Sequence, residues 1–222
     1  MTNLLHQHYE DHGHVAIPGL VPKEVAANLL SVFHSSLSAQ PGLLSKLKTN
    51  PSVNTQPAYE FYGFRLPSAM TFHWGMTSRV SEIAERPLLP TYAYFRAYLK
   101  GDRCLIHSDR PSCEHSLSLS LGFSDDEMWP LEIGNQFRSE EEARDIPKAD
   151  DFGDEPYSGL ELNPGDGMFY KGINYRHGRQ VPNPNRWSAH LFLHWVDAEG
   201  PYKEFSFDRV DFPNKPDFPA FT

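Results

Sequence analysis

The chain has 222 residues, 39% of them apolar, and a formal net charge of −9. This is apolar material enough for one domain with its own core, and too acidic a balance for a nucleic-acid footprint, which needs a basic surface. No apolar run reaches the length of a membrane span, and two cysteines, Cys104 and Cys113, build no disulfide framework.

The start, "MTNLLHQHYEDHGH", has neither the basic head nor the apolar stretch of a signal peptide, so a cytoplasmic protein is expected. Its histidines, His6, His8, His12 and His14, read as a solvated, frayed set. "HVAIPGLV" predicts a short strand. "PKEVAANLLSVF" predicts a helix beginning near Pro22, with Val25, Leu29, Leu30 and Phe33 on one side. A second helix is expected in "TSRVSEIAERPL", ended by Pro87. The aromatic, Pro- and Asn-rich text between them reads as irregular structure with short strands.

From Thr91 the pattern turns to strands. "TYAYFRAYL" places Tyr92, Tyr94, Arg96 and Tyr98 on one face, and "HSLSLSLGF" alternates strictly. Residues 125–155 hold twelve acidic and three basic side chains, so this window alone accounts for the net charge. It reads either as a solvated excursion between strands or as a flap over a pocket that prefers cations. "GLELNPGDGMFYKG" reads as strand, Pro-Gly turn, strand. "RWSAHLFLHWV" places Arg186, Ser188, His190, Phe192 and His194 on one face. Strands apolar on one side and polar on the other fit a barrel or jelly roll with a polar interior and helices outside. One domain is expected, with a supporting region over 1–90, a β core over 91–199 and a surface tail over 200–222.

His107 and Asp109 stand two apart at a strand end and therefore face the same way. Two histidines and a carboxylate on one face suit a non-haem iron(II) centre with open positions. His177, after the turn-strand unit, offers the third ligand, and Gly178 gives the backbone room. Arg186 and Ser188 form an Arg-x-Ser pair able to grip a carboxylate, the guanidinium in bidentate fashion.

The ordered set "AYLKGDRCLIHSD", "LSLSLGF", "LNPGDGMFY" and "YRHGRQVPNPNRWSAHLFL" resembles the 2-oxoglutarate/Fe(II)-dependent dioxygenase superfamily, in its prolyl-hydroxylase-like and phytanoyl-CoA-hydroxylase-like branches. The resemblance implies a double-stranded β-helix (jelly-roll, cupin-like) core. It assigns iron to His107, Asp109 and His177, and the distal carboxylate of 2-oxoglutarate to Arg186 and Ser188, with the Tyr98 hydroxyl nearby. It implies Fe(II), 2-oxoglutarate and O2 as cofactor and co-substrates, with ascorbate in support. The expected reaction hydroxylates a small molecule or a peptidyl side chain and releases succinate and CO2. Asp109 is an intact carboxylate, which favours hydroxylation over halogenation. Arg110, Trp129 and His190 are candidates for substrate contact, against the alternatives of an Arg110 facing solvent, a Trp129 anchoring its loop and a His190 satisfied within the core. "MWPLEI" replaces the Gly-Gly-Glu-Leu stretch of many relatives, so prolyl-hydroxylase specificity does not carry over. The competing readings are a non-catalytic, cupin-like metal- or anion-binding protein and a non-oxidative metal enzyme on the same barrel.

Overall fold

The computed structural model describes residues 2–39 and 42–209. In chain order the helices are α1 (Thr2–His12), α2 (Lys23–Ser38), α3 (Leu43–Lys46), α4 (Pro67–Ala84) and α5 (Glu140–Asp145). The strands are β1 (His14–Ile17), β2 (Lys48–Thr49), β3 (Ala58–Tyr62), β4 (Leu88–Leu99), β5 (Cys104–His107), β6 (His115–Phe123), β7 (Leu131–Gly134), β8 (Tyr157–Leu160), β9 (Gly167–Tyr170), β10 (His177–Arg179) and β11 (Trp187–Asp197). They make a seven-stranded sheet, β1-β9-β6-β11-β4-β3-β2, and a four-stranded sheet, β5-β10-β7-β8, with antiparallel pairing throughout. This is a jelly roll. None of the described helices is long and apolar enough to cross a membrane.

The alternation read in the sequence builds the layers. Phe95 on β4, Leu117, Leu119 and Leu121 on β6, and Leu191, Leu193 and Trp195 on β11 point outward and pack with Phe33, Leu37, Val80 and Ile83 of α2 and α4. Their opposite faces carry Tyr98, Ser116, Ser118, Ser120, Ser188, His190 and His194, all buried between the sheets. Burying apolar side chains outside the sheet, under helices, leaves the interior polar and able to hold chemistry.

Several elements depart from the sequence reading. The N-terminal histidine segment is a helix, with Tyr9 fully buried and its hydroxyl 2.6 Å from His115 Nδ1. His6 Nδ1 lies 2.9 Å from the Ile83 carbonyl, which pins α1 to α4. In α2 the buried residues are Ala26, Phe33 and Leu37, while Val25 faces outward, so the helix is rotated from the expected side. The helix placed in "TSRVSEIAERPL" starts ten residues earlier, at Pro67 in its first turn, and ends where Glu85 adopts φ 51°. The strands flanking "NPGD" do not pair: β8 belongs to the smaller sheet and β9 to the larger.

The acidic window is structured. It contains β7 and α5, whose Ser139 and Glu142 form a reciprocal capping box. Buried Glu155 accepts from Arg138 at 2.9 Å and from Arg176 at 3.2 Å. Residues 203–209 form 3-10 turns beside β4, and residues 210–222 of the expected tail lie outside the described residues.

Candidate metal centre

β5 and β10 pair so that His107 and His177 sit directly opposite one another. Gly178 makes this approach possible: a Cβ there would lie 2.6 Å from the Cys104 carbonyl and 2.9 Å from that of Leu105. Asp109 follows β5 by two residues, and its N–H donates to the Gly172 carbonyl at 2.9 Å. A Cβ on Gly172 would lie 2.5 Å from Asp109 Oδ2, so glycine is required there too.

The three side chains converge. Asp109 Oδ1 is 3.6 Å from His107 Nε2, and Oδ2 is 3.4 Å from His177 Nε2. One donor atom from each residue lies within 4.8 Å of the other two. Each imidazole is oriented from behind: His107 Nδ1 bonds the Leu105 carbonyl at 2.7 Å, and His177 Nδ1 bonds the Tyr175 carbonyl at 3.0 Å. A carbonyl only accepts, so both Nδ1 atoms carry the proton and both Nε2 atoms turn a lone pair to the centre. Burial opposes the charge on Asp109, but the two imidazoles more than offset it and hold its carboxyl well below the usual range. Burial likewise opposes a charge on His177, whose value Asp109 nonetheless raises, whereas burial prevails at His107 and lowers it. Two imidazole lone pairs and one ionised carboxylate are a donor set suited to a borderline divalent cation.

Beside the triad is a small cavity of about 20 Å³, lined also by Tyr94, Arg96, Tyr98, Tyr170, Arg179 and Phe192. Two guanidiniums reach it. Arg96 is neutralised by Glu60, its Nε donating at 2.7 Å, and Nη1 donates to the Tyr98 hydroxyl at 3.1 Å. Arg179 is 1% exposed; it donates to the Trp129 carbonyl and stacks 4.4 Å over the Trp129 ring, with no carboxylate in ion-pair contact among the described residues. A buried cation without a counter-charge is a costly arrangement unless an anion joins it.

Arg186 is not in this cavity, which corrects the expected clamp. It precedes β11 rather than lying on it; its side chain is 73% exposed and its Nε donates to Asp125 at 3.1 Å. Ser188 does face inward, but its hydroxyl donates to Asn183 Oδ1 at 2.9 Å and accepts from Asn185 Nδ2 at 3.3 Å, holding the turn before β11. Trp129 packs against Arg179 and does not line the cavity, and its Nε1 donates to the Val181 carbonyl at 2.7 Å. His190 is buried, with Nε2 3.5 Å from Arg179 Nη2, and Arg110 lies 4.4 Å over the Tyr92 ring. Sequence reasoning missed Arg179. The signal was there: Arg179 follows His177 by two residues in a strand, as Asp109 follows His107.

Solved structures share this architecture. This is the fold of the 2-oxoglutarate/Fe(II) oxygenases. Over 89% of the chain and 85% of its counterpart, it is similar to SnoK, a non-haem α-ketoglutarate-dependent carbocyclase of nogalamycin biosynthesis (TM-score 0.69, 11% identity). It is also similar to the epimerase SnoN in complex with Fe3+, α-ketoglutarate and nogalamycin RO (TM-score 0.65, 13% identity, 98% and 92% covered). A third is HygX from Streptomyces hygroscopicus with nickel and 2-oxoglutarate bound (TM-score 0.64, 10% identity, 90% and 88% covered). No family sequence model and no curated protein sequence matches the chain.

Proposed function

We propose that the protein is a 2-oxoglutarate- and Fe(II)-dependent oxygenase that hydroxylates a C–H bond of a small molecule or peptidyl side chain. The observation that carries this reading is a metal-suited His107/Asp109/His177 triad in one cavity with Arg179, a buried guanidinium with no carboxylate in ion-pair contact among the described residues. When bound, the iron and 2-oxoglutarate supply the oxidising chemistry, with succinate and CO2 as by-products.

The chain's own residues do the positioning. His107 and His177 present Nε2, fixed by the Leu105 and Tyr175 carbonyls, and Asp109 supplies the anionic ligand. Arg179 takes the place expected of Arg186 and pairs with the distal carboxylate of 2-oxoglutarate, with the Tyr98 hydroxyl as a second contact. Arg96 holds Tyr98 in place and is itself neutralised by Glu60. Tyr94, Tyr170 and Phe192 wall the cavity and exclude water. The epimerase SnoN, in complex with nogalamycin RO, and the carbocyclase SnoK show how widely this fold's chemistry ranges, and the intact Asp109 carboxylate favours hydroxylation over halogenation here.

The test is succinate release from 2-oxoglutarate with Fe(II), ascorbate and O2 across a compound library. Wild type turns over with at least one compound, and Asp109→Ala does not. A wild type that binds neither metal nor 2-oxoglutarate ends this reading.

A further inference from the structure

Behind the triad lies a second group of donors. We propose that Asp109, Cys113 and His194 form a further divalent-cation site, sharing the Asp109 carboxylate with the first and taking a thiol-seeking ion of the Zn2+ type in preference to Fe2+. The proposal rests on the reading of Asp109 as a ligand of the first centre.

One donor atom from each of the three residues lies within 4.8 Å of the other two. Zinc bonds of about 2.0–2.3 Å require tetrahedral donors roughly 3.5 Å apart, so the group closes by no more than about 1.3 Å on binding.

The second observation is His194. It is 2% exposed, and its Nε2 has no hydrogen-bond partner among the described residues. Its Nδ1 lies 2.8 Å from Ser116 Oγ. That hydroxyl has two acceptors of its own at 3.3 Å, Asp109 Oδ2 and the Cys113 carbonyl, so its oxygen is free to accept from Nδ1–H. Nε2 is then left with a bare lone pair. Leaving such an atom buried and unpaired is unfavourable, and a cation removes that cost.

The surroundings support a metal-bound sulfur. The Tyr92 hydroxyl is 3.1 Å from Cys113 Sγ and can donate to a thiolate, while its ring stacks on His194 at 4.6 Å. Thr91 Oγ1 donates to the Ser112 carbonyl at 2.7 Å and fixes the 111–113 turn that carries the cysteine. Thiolate and imidazole together select Zn2+ over harder ions, and binding releases the thiol proton to solvent. A carboxylate can bridge two ions, so filling this site changes the field at the first.

Cobalt(II) titration under argon tests the proposal, because thiolate ligation gives a near-ultraviolet charge-transfer band that oxygen and nitrogen ligands do not. In wild type the band grows with a second equivalent of Co2+. Cys113→Ser abolishes it and weakens the second equivalent by more than about 100-fold, beyond the loss typical of an outer-shell contact, while the first equivalent still binds. His107→Ala/His177→Ala removes the first site and retains the band. Cys113→Ala and His194→Asn repeat the test should the serine variant fail to fold. Absence of the band in wild type, its survival in the folded Cys113 variants, or its loss in the double histidine variant overturns the proposal. Failure of the oxygenase reading is a separate result: the band is present, but 2-oxoglutarate leaves the first-equivalent spectrum unchanged.

Discussion

Arg179→Met replaces a buried guanidinium by an apolar side chain of comparable length and asks whether its missing partner is a ligand. Arg179 is 1% exposed, and burial works against its charge. Truncating one member of a buried charged pair costs about 2–5 kcal/mol of binding, and taking about 3 kcal/mol corresponds to roughly a 100-fold weaker Kd. At 2-oxoglutarate one hundred times its wild-type Kd, wild type is stabilised by about 2.7 kcal/mol and the variant by about 0.4 kcal/mol. For a chain of this size that is a rise in Tm of about 5–10 °C against about 1 °C. Without ligand the variant melts at or above wild type, since an unpaired buried cation is gone. The assay is a thermal melt with Mn2+ present, with and without 2-oxoglutarate. A variant that keeps the full ligand-induced rise refutes the reasoning and moves the clamp to Arg96.

Other predictions follow from the same geometry. Arg186→Ala changes stability by less than about 0.5 kcal/mol and leaves the 2-oxoglutarate dependence unaltered, because its side chain is exposed and paired with Asp125; a raised requirement would restore it as the clamp. Glu155→Ala leaves Arg138 and Arg176 partly buried without their counter-charge and lowers stability by about 3–5 kcal/mol in urea unfolding. His73, whose Nε2 donates to the His194 carbonyl at 2.9 Å, is held by burial at about 4 instead of 6.5. The folded state therefore favours its neutral form, and the stability it contributes is whole above pH 6.5 and lost as pH falls from 6.5 towards 4. Between pH 7 and 5 wild type loses about 2 kcal/mol more than His73→Gln; equal losses would show that His73 does not titrate in this way.

The parts legible in the sequence were those with strict periods or close spacing. Alternation in β4, β6 and β11 gave both the apolar face under the helices and the polar interior, and the i, i+2 relation of His107 and Asp109 aimed both at one point. Distance along the chain hid the rest. The α1 segment is polar by composition, and its place depends on Tyr9 reaching His115, 106 residues away. The rotation of α2 was unreadable because Val25 and Ala26 are both apolar, and only the sheet beneath decides which is covered. Arg186 continued the β11 alternation on paper. The turn held by Asn183, Asn185 and Ser188 breaks that alternation one residue before the strand, and this sends the guanidinium to Asp125. Arg179 obeyed the same i, i+2 rule as Asp109, but three residues are too short a run to announce a strand.

The most direct test of the central claim is calorimetric titration of 2-oxoglutarate into the protein with and without Mn2+ under argon, for wild type and His177→Ala. One molecule binds wild type tightly only when the metal is present, and binding is lost in His177→Ala. Equal binding with and without metal, or undiminished binding by the variant, would contradict the claim that this triad holds the ion to which 2-oxoglutarate attaches.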